Sequence, residues 1–145
     1  MHHITNLFHR TKNENGKYKK PYYSIVSKKA GKVIDVAQDG PHKGSLILWD
    51  GYNGDNQAFT IIQQGPDYLI KCRQTKGFLT VENASDGARI FLSPQPTPQS
   101  KFRLDETKSG SHEYIIYTFC GKVLDVFQGE KAKGTQVIQF TYNGN

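Results

Sequence analysis

The stretch Gly31-Lys32-Val33-Ile34-Asp35-Val36 recurs at an offset of 90 residues as Gly121-Lys122-Val123-Leu124-Asp125-Val126. Midway between them, residues 76–81 carry a weaker third copy. Three apolar columns repeat at this spacing of 45: Ile25, Ile70 and Ile115; Ile34, Leu79 and Leu124; Val36, Val81 and Val126. A fixed period of this length indicates copies of one supersecondary unit that cannot bury its apolar face alone. Three copies in 145 residues predict a closed arrangement with three-fold pseudosymmetry.

Each copy consists of short β-rich runs separated by turn residues. In copy one the runs cover residues 22–26, 32–36, 46–49 and 58–62, with turn-forming residues between them. No stretch of ten or more residues shows the 3.6-residue apolar period of a helix. We therefore predict an all-β domain of about twelve strands that close into a barrel, which removes exposed sheet edges.

The third copy lacks its last strand. Copy one continues past its Tyr52-Asn53-Gly54 loop into Asn56-Gln57-Ala58-Phe59, whereas copy three stops soon after Tyr142. The unassigned run Thr5-Asn6-Leu7-Phe8 fits the missing strand, with Phe8 in the place of Phe59. We predict that the N-terminal strand closes the third lobe, because chain termini usually lie close together. The predicted single domain, 1–145, comprises a closing segment of about 1–21 and repeats of about 22–65, 66–110 and 111–145.

The chain has a net charge of +6, and much of it comes from one lysine cluster. The cluster consists of Lys17, Lys19, Lys20, Lys28, Lys29 and Lys32. Two interpretations remain open: a solvated face that keeps the protein soluble, or a surface that binds protein or sulfated glycans. No nucleic-acid partner is predicted, and the oligomeric state is left open.

The sequence gives no support to membrane, secretory or enzymatic classes. Its longest apolar runs have four or five residues, and residues 1–16 contain no apolar leader. We therefore predict no membrane span, and three interpretations of the location remain open: cytoplasmic, reached by a non-classical release route, or that of a mature form whose leader was removed. The chain has no catalytic motif or metal-ligand spacing, so no enzyme activity, cofactor or metal is predicted. Cys72 and Cys120 occupy different positions in their repeats, which favours free thiols over a disulfide.

One known repeat resembles the pattern of copy one. Gly31–Val36, then Lys43-Gly44-Ser45, then Trp49, then Asn56-Gln57-Ala58-Phe59 is similar to the ricin B-type lectin repeat. That repeat ends in Gln-x-Trp, and Phe59 here takes the place of its tryptophan. The resemblance implies a β-trefoil, which is a six-stranded barrel capped by three hairpins. It also implies binding of galactose or N-acetylgalactosamine in shallow pockets, one per lobe, not all of which are active.

The resemblance assigns roles to residues of copy one. Asp35 would accept hydrogen bonds from two sugar hydroxyls, and Trp49 would stack on the apolar face of the sugar, with Tyr52 as a second stacking candidate. Asn56 would add a hydrogen bond, and Gln57 would support Asp35. The physical chemistry agrees, because an ionised carboxylate makes strong charge-assisted bonds and an aromatic face covers C–H groups.

Copies three and two differ in what they retain of this set. Copy three offers Asp125, Phe140 or Tyr142, and Asn143 or Asn145, but no Asn-Gln pair. Copy two carries Thr80 in place of the aspartate and is expected to be inactive. The implied function is a multivalent hemagglutinin-type lectin whose partners are glycans, glycoproteins or glycolipids.

A second interpretation of the two aspartates also remains open. Each precedes a turn and could bond its own backbone instead of a ligand. As ligand residues, Asp35 and Asp125 are expected to face solvent and to contribute little to stability. Replacing Thr80 by alanine is expected to change neither binding nor stability.

Overall fold

The computed structural model describes residues 5–12 and 15–143, apart from the side chains of residues 18–20. Twelve strands are present in this part of the chain: β1 (Thr5–Lys12), β2 (Tyr18–Ser27), β3 (Lys32–Val36), β4 (Leu46–Trp49), β5 (Phe59–Gln64), β6 (Asp67–Cys72), β7 (Phe78–Val81), β8 (Ile90–Ser93), β9 (Arg103–Glu106), β10 (Glu113–Tyr117), β11 (Val123–Val126) and β12 (Val137–Phe140). Three single 3-10 turns cover Asp55–Gln57, Pro98–Ser100 and Phe127–Gly129. The predicted all-β class is confirmed.

Six strands form a closed barrel. Strand β2 pairs with β1 and β5, β5 pairs with β6, and β10 pairs with β9 and β1, all antiparallel. A bridge between Tyr68 and Phe102 joins β6 to the residue before β9 and completes the ring. The N-terminal strand β1 therefore closes the third lobe, as predicted.

The other six strands form three hairpins, β3–β4, β7–β8 and β11–β12. Their second strands are joined by three isolated bridges, Ser45 to Phe91, Ile47 to Gln136, and Arg89 to Ile138. The hairpins thus meet around the pseudo-three-fold axis and cap one end of the barrel. This arrangement is a β-trefoil.

The core follows the repeated columns, with one shift. Ile25 and Ile70 are fully buried, but in the third copy it is Ile116, not Ile115, that is fully buried. Side chains alternate between the two faces of a strand, so a shift of one residue exchanges the buried and exposed sets. The period of 45 therefore holds for the hairpins and slips by one residue at β10.

The strand pairing corrects the expected position of Phe8. Phe8 lies opposite Ile25 in β2, as Ile61 lies opposite Ile70 in β6, so Phe8 takes the place of Ile61 and not of Phe59. Phe8 is half-buried against the edge of the core, whereas Phe59 is fully buried. The alignment by residue type was wrong by two positions, which keeps the residue on the same face of the strand.

Both cysteines are free thiols, Cys72 buried and Cys120 exposed, as predicted. Within the described residues, none of the helices has the length and apolar character needed to cross a membrane.

Candidate functional site

The carboxylate of Asp35 sits between two side-chain amides. Asp35 lies in β3 and is only 3% exposed. Asn56 donates to Oδ1 of Asp35 at 3.1 Å, and Gln57 donates to Oδ2 at 2.8 Å. The Asn56 amide also donates to the carbonyl of Val36 at 3.2 Å. The 3-10 turn that carries Asn56 and Gln57 is thereby fixed against the end of β3.

The loop before this turn orients both amides. The hydroxyl of Tyr52 donates to Oδ1 of Asn56 at 2.8 Å, and the backbone N–H of Tyr52 donates to Oε1 of Gln57 at 3.0 Å. Each amide oxygen is thus occupied, which leaves the NH₂ groups facing Asp35. A Cβ on Gly54 would collide with the Tyr52 ring and with Asn56, so glycine is required beneath the ring.

Four of the five predicted residues of repeat one line a single cavity of about 220 Å³. These four are Asp35, Trp49, Tyr52 and Asn56. Gln57 lies behind it as a support for Asp35. Tyr52 is 56% exposed and forms one wall. The ammonium of Lys133, from the hairpin loop of repeat three, lies 5.1 Å from the centre of the Trp49 ring. Repeat three therefore helps to hold the aromatic wall of repeat one.

Burial raises the pKa of the Asp35 carboxyl above its ordinary value of 3.8. The hydrogen bonds from Gln57 and Asn56 act in the opposite direction, because they stabilise the ionised form.

Repeat three has a second cavity of about 330 Å³ with Asp125 at its base. Asp125 is also 3% exposed, and its Oδ1 accepts a hydrogen bond from the N–H of Val126 at 2.8 Å. Phe140 lies opposite Val123 as Trp49 lies opposite Val33, and it lines the cavity. The residues that line this cavity do not include Tyr142 or Asn143, and Asn145 lies outside the described residues.

The sequence reasoning missed Phe127, which is 45% exposed and also lines the repeat-three cavity. It occupies the loop after β11, where Ala37 stands in repeat one. The available signal was an aromatic residue two positions after the repeated aspartate. Among the described residues, the exposed large hydrophobic side chains are Tyr52, Phe127 and Phe140. All three therefore lie at the two aspartate cavities.

Repeat two replaces the charged pair with a neutral one. The hydroxyls of Thr80 and Ser100, both buried, are 2.8 Å apart, and Thr80 also donates to the carbonyl of Phe78 at 2.9 Å. Ser93, opposite Phe78, stands where the aromatic residue stands in the other repeats. These contacts argue against the expectation that Thr80→Ala leaves stability unchanged, because its hydroxyl is a buried, bonded group.

The expectation that both aspartates face solvent is also wrong. Asp35 in β3 and Asp125 in β11 are each only 3% exposed, although each lines a cavity. Asp35 and Asp125 therefore contribute to the local structure as well as to the cavity floor.

The family model described as ricin-type β-trefoil lectin domain-like matches residues 8–93, more than half of the chain. The chain belongs to this family. Among solved structures, this ricin-type domain is similar to the designed three-fold symmetric protein ThreeFoil, with a TM-score of 0.76 and 29% identity over 86% of this chain and 91% of that one. It is also similar to the ricin B-like lectin of Macrolepiota procera in complex with lactose. There the TM-score is 0.72 and the identity 25%, over 85% and 88% of the two chains.

A curated relative of this ricin-type domain is the main hemagglutinin component type C of Clostridium botulinum C phage. The two are 26% identical over 105 residues, which is 69% of this chain and 36% of the relative. The type D component of Clostridium botulinum D phage gives the same values. The chain spans about a third of the length of these curated relatives.

The lysine cluster is partly committed to internal contacts. Lys28 forms an ion pair of 2.6 Å with Glu113 in β10. The side chains of Lys19 and Lys20 lie outside the described residues. Within the described residues, no group of three or more His, Cys, Asp or Glu side chains is placed to hold a metal ion.

Proposed function

We propose that this ricin-type lectin domain binds galactose- or N-acetylgalactosamine-type glycans in the cavities of repeats one and three. One observation carries the proposal: in repeat one, a carboxylate held by two oriented amides forms the floor of a cavity with aromatic walls. Such a site offers acceptors for sugar hydroxyls and a flat surface for the C–H face of the ring.

The hydrogen-bonding capacity of Asp35 supports this role. A carboxylate has about four lone-pair sites, and Asn56 and Gln57 occupy two of them. The remaining sites can accept two sugar hydroxyls by charge-assisted bonds. Trp49 supplies the stacking face, at low cost in side-chain entropy because it has few rotatable bonds. A shallow, hydrated site of this kind gives affinities on the order of −4 to −8 kcal/mol.

The relatives support a carbohydrate ligand. One similar structure is described as a lectin in complex with lactose, a disaccharide that contains galactose, and the curated relatives are described as hemagglutinins. Agglutination of cells requires a lectin that presents more than one binding site. Two cavities on different lobes meet that requirement and raise the avidity by about 10²–10⁴ over a single site.

The competing proposal, a protein- or sulfated-glycan-binding surface at the lysine cluster, makes a different prediction on salt. Calorimetric titrations at two salt concentrations distinguish the two proposals. Galactose is the ligand, and glucose is the epimeric control. Hydrogen-bonded galactose binding is expected to be nearly unchanged by salt, and glucose is expected to bind more weakly. Binding of heparin alone, with a steep loss of affinity in salt, would instead support the lysine surface.

The raised pKa of Asp35 predicts a pH dependence of sugar binding in repeat one. Protonation removes the acceptor that the sugar requires, so galactose affinity is expected to fall on acidification at a pH above the ordinary 3.8. Stability responds with the opposite sign. A raised folded-state pKa means that the protonation-linked contribution of Asp35 to stability is fully present below 3.8 and is lost as the pH rises through the raised value, whereas its hydrogen bonds with Asn56 and Gln57 remain.

Titrations of galactose from neutral to acidic pH measure this effect, with Asp125→Asn used to isolate repeat one. An affinity that stays constant down to the ordinary aspartate pKa would contradict a role for the Asp35 carboxylate.

A further inference from the structure

A third cavity, of about 420 Å³, lies at the other end of the barrel, and every barrel strand contributes to it. We name it the axial cup; it is lined by Phe8, Tyr23, Ile61, Gln63, Tyr68, Leu104, His112 and Tyr114. Gln63 and Tyr68 flank the β5–β6 turn, and His112 and Tyr114 lie at the β9–β10 turn. The cup therefore opens away from the hairpins and from the two aspartate cavities.

The axial cup repeats the three-fold symmetry of the chain. The first barrel strand of each repeat supplies a tyrosine, Tyr23, Tyr68 or Tyr114, and the last strand of each lobe supplies an apolar side chain, Phe8, Ile61 or Leu104. All six are half-buried. The cup thus has an apolar and aromatic lining with hydroxyl groups, in the size range of small-molecule sites.

The aromatic rings that line the cup are inclined to one another. The Phe8 ring lies 6.5 Å from the Tyr23 ring at an interplanar angle of 74°, and 5.2 Å from the Tyr114 ring at 49°. The negative face of each ring attracts a cation placed over it.

The charge around the axial cup favours a cation. The lining residues include no lysine or arginine. Glu106 lies opposite Tyr114 in the neighbouring strand β9, and its carboxylate accepts hydrogen bonds from the N–H groups of Gly110 and His112. Burial, and after it the charge of Glu106, raises the pKa of the Tyr114 phenol, so the Glu106 carboxylate is close enough to act on the cup lining.

We propose that the axial cup binds a quaternary ammonium group of the choline type. A trimethylammonium group carries its charge on methyl groups that cannot donate conventional hydrogen bonds, so it is recognised by aromatic faces. The four aromatic rings of the cup provide such faces, and Glu106 adds a long-range attraction. A primary ammonium would instead favour a carboxylate acceptor, and the lining residues include no Asp or Glu.

The test is a titration of the full chain with choline chloride at constant ionic strength. Changes in the NMR chemical shifts of the tyrosine rings report on binding. The matched ligand is 3,3-dimethyl-1-butanol, a neutral molecule of the same shape. Choline is expected to bind with shifts confined to the cup, and the neutral analogue is expected to bind about tenfold more weakly. Equal binding of the two, or no choline binding at tens of millimolar, would overturn the proposal.

Two variants provide a second test on the protein side. Tyr68→Leu removes one aromatic wall, and Tyr22→Leu is the matched control, because Tyr22 is equally half-buried but lies under Arg73, outside the cup. Choline affinity is expected to fall about tenfold in Tyr68→Leu and to stay unchanged in Tyr22→Leu. Equal effects of the two substitutions would contradict the proposal, and the comparison of ligands on the unmodified chain does not depend on either variant folding.

The source of the ammonium group is distinguished by adding phosphatidylcholine vesicles in a flotation assay. Binding to vesicles as well as to choline indicates a lipid headgroup, and binding to choline alone indicates a free small molecule. Galactose is expected to bind equally with and without choline, since Trp49 and the sugar cavities lie elsewhere. The proposal for the axial cup and the proposed lectin function therefore succeed or fail independently.

Discussion

Deletion of residues 1–12 is expected to abolish cooperative unfolding of the barrel. The deletion removes β1, which pairs with β2 on one side and with β10 on the other. Without it the barrel has two open edges, and the core loses Phe8 as a covering side chain. Thermal unfolding followed by circular dichroism measures the effect.

The control for this deletion is removal of residues 1–4 alone, which leaves β1 in place. That shorter variant is expected to unfold cooperatively. If the chain without residues 1–12 kept the melting temperature of the parent, the closure of the third lobe by β1 would be refuted.

Asp35→Ala is expected to eliminate sugar binding in repeat one and to lower the free energy of unfolding by about 1–3 kcal/mol. The substitution removes the acceptor for the sugar and leaves the NH₂ groups of Asn56 and Gln57 without their shared partner. Binding in repeat three is expected to stay near its original affinity, because the two cavities share no residues. Calorimetry with galactose and chemical denaturation measure the two effects separately.

Thr80→Ala is the matched control for Asp35→Ala. Thr80 occupies the equivalent position in repeat two and is equally buried, with a hydroxyl bonded to Ser100. Its removal is expected to cost about 1 kcal/mol of stability and to leave galactose binding unchanged. Galactose binding that survived in the double variant of Asp35 and Asp125 would refute the assignment of both aspartates.

The fold could be predicted from the sequence because its period of 45 residues appears in hairpin residues that face the core. Ile34, Leu79 and Leu124 are all buried, and each lies in the first strand of a hairpin. Register in the barrel strands was harder to predict. Ile116 takes the core position expected for Ile115, and Phe8 takes the place of Ile61. The residue types alone do not reveal such shifts, because neighbouring or alternate positions of these strands are also apolar.

The candidate site could be predicted in its residues but not in its depth. The resemblance to the ricin B-type repeat implied that Asp35, Asn56 and Gln57 belong together, and the structure brings their side chains into contact. The burial of Asp35 could not be read from the sequence, since it depends on the Tyr52 loop and Gly54 holding both amides over it. Phe127 was missed because the loop after β11 folds into a 3-10 turn in which Gln128 has a positive φ of 52°. The repeat pattern does not predict this turn.

The most direct test of the lectin proposal is the fluorescence of Trp49 during titration with galactose. Trp49 is the only tryptophan of the chain and lines the repeat-one cavity, so its emission reports on that site alone. We expect a saturable change with galactose and N-acetylgalactosamine, a weaker one with glucose, retention of the change in Asp125→Ala, and its loss in Asp35→Ala. An emission spectrum that does not respond to galactose, or that responds equally to glucose, would contradict the proposed sugar site.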